Sequence, residues 1–230
     1  MVVAIAALAQ GAMGMGFGQI AAAGMVWIAP GMMPATVIIM AFVVATFAVL
    51  KERSGVDLRV LSVCLYGRIA GTLIALPLLL LTGENNSGFD LLFAVLLLAS
   101  VFFSLFSVRP QFTKISQIAG GLASGLMGTI TSVGAPPMAL VFQDQKAAMA
   151  RPTLNGFFAI GAPISLLVLW FSGRLDLQHF ILAGNLAPGF ILGLYLSARL
   201  HRFIDYRFRY LVLAFSFVSA IALIARSLPW

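Results

Sequence analysis

The chain has 230 residues, of which 61% are hydrophobic and 9% charged, and its formal net charge is +7. A soluble domain carries about 25% charged residues, and the few present here could not cover a globule of this size, which excludes a soluble enzyme, a secreted disulfide scaffold and a nucleic-acid-binding domain. An all-α polytopic membrane protein remains, with the lipid bilayer as its surroundings, no nucleic acid as partner, and a basic excess of the kind that collects in cytoplasmic loops.

A full crossing takes about 20 apolar residues. Apolar segments run over 2–29, 34–50, 58–82, 89–108, 115–142, 152–172, 177–199 and 207–227. None shows the polar–apolar alternation of a membrane barrel strand. The first segment carries Gly11, Gly14, Gly16, Gly18 and Gly24, and the fifth carries Gly120, Gly121, Gly125, Gly128, Gly134 and the pair Pro136-Pro137. Glycines at this density let helices approach closely. The runs Gly16-Phe17-Gly18-Gln19 and Thr129 to Pro137 also predict interrupted helices, with Thr131 and Ser132 as N-caps and proline in a first turn.

Short matches tie two halves together. Gly11-Ala12-Met13-Gly14 corresponds to Gly125-Leu126-Met127-Gly128, and Pro34-Ala35-Thr36 to Arg151-Pro152-Thr153. Ser54-Gly55 precedes Asp57-Leu58 as Ser172-Gly173 precedes Asp176-Leu177, and Gly67-Arg68-Ile69-Ala70 corresponds to Gly184-Asn185-Leu186-Ala187. The expected organisation is a first repeat over 1–109 and a second over 110–230, together one membrane domain. Internal symmetry of this kind is a transporter signature.

Charge chooses between two topologies. If all eight segments cross, the basic residues divide almost evenly between the two faces. If the two glycine-rich segments are re-entrant hairpins, Lys51, Arg53, Arg59, Arg109, Lys114, Lys146, Arg151, Arg199, Arg202, Arg207 and Arg209 share one face, and only Arg174 and Arg226 lie opposite. The second split obeys the positive-inside rule. Three full crossings per repeat is an odd number, so the second repeat is inverted and the two hairpins meet near the midplane.

Non-helical backbone at that depth must be buried in protein or line a cavity. The half-helix N-termini favour an anion there. Candidate binding groups are Gln19, Thr129, Thr131 and Ser132, with Gly16, Gly18 and Gly134 supplying close backbone. Arg68, about ten residues into the third span, is either a structural partner of backbone carbonyls or a fixed cation for an anionic ligand. Asn185, its counterpart in the sequence repeat, would add a hydrogen bond. Asn155 is a further candidate, with an interhelical bonding role as the alternative. No span carries a central carboxylate, and His179 and His201 stand at span ends. The chain holds one cysteine, Cys64, so no disulfide, metal site or cofactor is expected. His-Glu-x-x-His, Gly-x-Ser-x-Gly and P-loop patterns are missing.

The chain resembles the TauE/SafE sulfite exporter family, also called the 4-toluene sulfonate uptake permeases. The resemblance rests on Gly11-x-x-Gly14-x-Gly16-x-Gly18 followed by Pro30 and Pro34-Ala35, and on Gly121-x3-Gly125-x2-Gly128. Thr153-Leu154-Asn155, Ser172-Gly173 and Gly184-Asn185 through Gly193 add to it. It implies transport of sulfite, an organosulfonate or a related small anion across a bacterial inner membrane, and no enzymatic activity. The expected function is an exporter or uniporter of a small sulfur-containing or carboxylate anion, with an anion channel of the same lining and a non-transporting membrane scaffold as the other readings.

Overall fold

The computed structural model describes residues 1–13, 15–82, 86–105 and 110–200. Among them all regular elements are helical: α1 (Val2–Met13), α2 (Phe17–Ile28), α3 (Ala35–Lys51), α4 (Leu58–Thr82), α5 (Asn86–Leu105), α6 (Lys114–Thr131), α7 (Ala135–Phe142), α8 (Ala147–Phe171), α9 (Leu177–Asn185) and α10 (Ala187–Leu200). The segment expected over 207–227 lies outside the described residues. Two helices, α4 and α8, are individually long and apolar enough to cross a bilayer, and α9 with α10 makes a third if the bent pair is one span. The apolar helices α1, α2 and α3 and the apolar part of α5 are shorter.

Both glycine-rich segments are interrupted, at slightly different places from those expected. The first breaks around Met15 and Gly16, and the run from Phe17 is already the opening turn of α2. Gly16 precedes α2 with φ 105°, a left-handed conformation that glycine adopts without a Cβ penalty. The second break is confined to residues 132–134. Thr131 and Ser132 are not N-caps. Thr131 ends α6 and donates back to the Met127 carbonyl at 2.7 Å, while Ser132 is the C-cap at φ 62° and Gly134 precedes α7. The left-handed Ser132 ends α6, and Thr131 Oγ1 accepts Val133 N–H at 3.1 Å across the turn that follows.

Two further boundaries differ. The helix expected from Pro152 starts at Ala147, because α8 runs through that proline. The segment expected as one span over 177–199 is bent by 51° between Asn185 and Ala187. Pro188 follows the bend, and a proline kinks a helix by removing an N–H and crowding the preceding turn. At the start of α9, Asp176 is the N-cap, accepting the backbone N–H of Gln178 at 2.9 Å and of His179 at 3.3 Å. Its carboxylate lies 2.6 Å from His179 Nδ1.

Helix packing relies on missing side chains. Gly67 and Gly71 of α4 press on the backbone of Ile118 and Leu122, while Gly121 and Gly125 of α6 press on that of Cys64 and Arg68. Numbering advances in the same sense on both helices, so α4 and α6 run parallel. On the other side α1 packs along α10, again in parallel, with Gly193 against Ala4 and Gly11 against Leu194 and Ser197. Between these pairs α3 packs against α8 and α9, and α4 against α8.

The ends of α3 and α8 meet. Arg151 forms an ion pair with Glu52, and Asp57 N–H donates to Thr153 Oγ1 at 3.0 Å. The loop after α3 and the loop before α8 therefore share a face. An arrangement in which all eight apolar segments cross would hold those two loops on opposite faces.

Candidate functional site

The two breaks touch. A Cβ at Gly18 would collide with the Ser132 carbonyl, so the α1–α2 break and the α6–α7 break meet backbone to backbone. Beside them is a cavity of about 40 Å³, lined by Gln10, Gly16, Phe17, Gly18 and Gln19 from the first hairpin and by Gly128, Ser132, Val133, Gly134 and Ala135 from the second. Arg68 of α4, Ile38 and Ala41 of α3, and Phe158 and Ala162 of α8 complete it.

Arg68 is 4% exposed. Its Nη1 donates to the Ser124 carbonyl at 3.0 Å and to Ser124 Oγ at 3.1 Å, and its Nη2 donates to Ser165 Oγ at 3.2 Å. The Phe157 and Phe158 rings lie 5.4 and 6.0 Å from its Cζ. A Cβ at Gly128, Gly134 or Gly161 would press on the guanidinium, so these positions make its room. All of these partners are neutral, and its Nε has none. Among the described residues no carboxylate pairs with Arg68. Gln19 lines the same cavity, and its Nε2 is also buried without a partner. Two residues with orphaned donors, one of them a cation, thus share one small space.

The remaining predicted site residues divide. Gly16, Gly18, Ser132 and Gly134 line the cavity. Thr129 stands behind it, donating to the Gly125 carbonyl at 2.7 Å with its hydroxyl 2.8 Å from Ser165 Oγ, which in turn holds Arg68. Thr131 shapes the turn, its Oγ1 accepting Val133 N–H at 3.1 Å. Asn155 accepts a hydrogen bond from Gln10 Nε2 at 2.9 Å and lines a separate, wider cavity. Asn185 stands apart, exposed at the end of α9. The position packed like Arg68 is Leu194: Gly67, just before Arg68, meets the Ile118 carbonyl of α6 as Gly193, just before Leu194, meets the Ala4 carbonyl of α1.

Sequence reasoning missed Gln10, Ser124, Ser165, Phe157 and Gly161. Gln10 had a readable signal, being the one polar side chain in α1. Its Oε1 accepts Phe17 N–H at 3.3 Å, which satisfies an orphan donor of the new helix. The half-helix N-termini are unequal. In α7 the first turn contains Pro136 and Pro137, which lack N–H groups, whereas α2 offers Gly18 and Gln19.

A family model described as sulfite exporter TauE/SafE matches residues 1–223. The chain belongs to that family. No curated protein and no solved structure matches it. Members of the TauE/SafE family are membrane transporters rather than enzymes. With the apolar helices described above, the match makes this chain an integral membrane transport protein whose family exports sulfite or a related sulfur anion.

Proposed function

We propose that the chain carries a compact oxyanion such as sulfite, bound at Arg68 between the two helix breaks. The observation that carries this reading is a buried guanidinium whose partners among the described residues are all neutral. Removing a cation from water costs several kcal/mol unless a counter-charge restores it, and an anion in the adjoining cavity would be that counter-charge. The orphaned Gln19 Nε2 and the α2 N-terminus add donors of the same polarity. Volume narrows the class. About 10–15 Å³ admits one water, so about 40 Å³ holds a few waters or one compact oxyanion, and an aryl tail would not fit. So small a space favours a carrier, which encloses its substrate, over an open pore.

The architecture proposed with it is two inverted repeats, 1–109 and 110–230, each a re-entrant hairpin followed by three crossings, in a bacterial inner membrane. Support comes from matched packing: α4 lies along α6 as α10 lies along α1, α3 against α9 as α8 against α4, and α3 against α8. The ion pair between Glu52 and Arg151 favours the same topology.

The test is sulfite-dependent thermal stabilisation of purified protein together with flux in proteoliposomes. A ligand that binds only the native state raises its stability. Arg68→Gln should lose both responses while remaining folded, at a cost of about 1.5–3 kcal/mol, or roughly tenfold to hundredfold in affinity. Arg68→Lys should retain part of each, since a point charge replaces a planar fork. Normal flux in Arg68→Gln would place the substrate elsewhere.

A further inference from the structure

Beside the Arg68 cavity lies a second one of about 850 Å³, formed by α3, α8 and α10 with Gly11 of α1. Lys51, Glu52 and Arg151 stand at one end, and its walls include Phe47, Leu194 and Tyr195. From Lys51 back to Val43, also in its lining, α3 covers about 12 Å at 1.5 Å per residue. The wide cavity therefore reaches inward from the face on which the α3 and α8 ends meet.

Among the described residues the two cavities have no lining residue in common, but a hydrogen bond joins them. Gln10 lines the small cavity and Asn155 the wide one, and Gln10 Nε2 donates to Asn155 Oδ1 at 2.9 Å. Both side chains are buried, at 4% and 2% exposure. Gln10 is also fixed from its other side by Phe17 N–H. Breaking the bond to Asn155 leaves Gln10 attached to the start of α2, so the hairpin keeps its shape while α8 is free to part from it.

We propose that the Gln10–Asn155 hydrogen bond is the gate between the wide cavity and the Arg68 pocket. The wide cavity is then a vestibule, and its basic end concentrates a small anion before the gate opens. A neutral amide pair suits this position. It closes the passage without a charge that would trap or repel the ion, and one neutral hydrogen bond is weak enough to open thermally. The inference rests on the Arg68 reading for what passes the gate, and the geometry of the two cavities is independent of it.

The experiment uses full-length protein in detergent with Cys64→Ser and a reporter thiol in the inner cavity, Ala162→Cys. The probe is methyl methanethiosulfonate, which is small, unbranched and uncharged, and which transfers a methylthio group to the thiol with release of methanesulfinate. Asn155→Ala and Asn155→Leu should each raise the labelling rate about three- to tenfold, the opening expected when one neutral hydrogen bond is lost. A control thiol in the α5 core, Ala94→Cys, should label no faster in either background. Unchanged reporter rates in both variants, or equal acceleration of the control, would overturn the gate. Sulfite-dependent thermal stabilisation, measured separately without the thiol reagent, reads the Arg68 site. If the parent protein responds to sulfite and the reporter rates stay flat, only the gate fails. If the parent shows no response, the Arg68 reading fails, and faster reporter labelling would still establish the passage.

Discussion

At the residue scale, the environment of Arg68 is set by what its neighbours lack. Three glycines leave room for the guanidinium, and two serines hold it without neutralising it. The sequence marked Arg68 as a charge deep in an apolar span, and it could not decide between a structural and a binding role. Among the described residues no carboxylate pairs with the guanidinium and its Nε has no partner, which supports the proposed binding role. Asp176 illustrates the opposite case, a charge placed for structure at a helix end. Desolvation pushes its carboxyl upward, but the His179 hydrogen bond and charge outweigh it, and with the backbone N–H groups of His179 and Gln178 they leave the carboxyl below its ordinary value. A depressed carboxyl stabilises the fold above its unfolded pKa, near 3.9, and that contribution is lost as pH falls through the folded value. The thermal midpoint of the native protein should therefore drop relative to Asp176→Asn as pH is taken from about 5 to below 3.9. Parallel midpoints across that window would show that the cap is not acting through its charge.

At the element scale, the helix breaks were legible and their capping was not. Glycine and proline density marks where a helix cannot continue, because those residues act through their own backbone. Which hydroxyl caps which helix depends on the path of the next turn, and Thr131 bonds backward to Met127. Contact between α4 and α6 is the most demanding of the helix packings. A side chain at Gly121 would meet the Cys64 carbonyl, and backbone cannot rotate aside as a side chain can. Gly121→Ala should cost at least about 1–3 kcal/mol, and Gly121→Leu should prevent recovery of folded protein. Thermal melting and gel filtration of the two variants would check this. A Gly121→Leu protein that elutes and melts like the parent would mean that α4 and α6 are not in close contact.

At the scale of the whole molecule, topology follows from where the two basic loops lie. With Cys64→Ser as background, single cysteines at Ser54 and Gln145 should both resist an impermeant maleimide in intact cells and both react after permeabilisation. Labelling of only one in intact cells would break the shared face that Glu52 and Arg151 define. The amino-acid sequence by itself determined the helical membrane class, the family, the two interrupted segments and the presence of a charge, Arg68, deep in an apolar span. These are properties of composition, local backbone chemistry and a single charge, and they need no partner to be read. Only the tertiary structure decided that Gly18 lies against Ser132, that Gln10 lines the Arg68 cavity while Ser124 and Ser165 bond the guanidinium, and that Leu194 rather than Asn185 packs as Arg68 does. The physical reason is that apolar helices carry little amphipathic pattern to orient them, so the face each one presents is fixed by close packing between residues far apart in the chain.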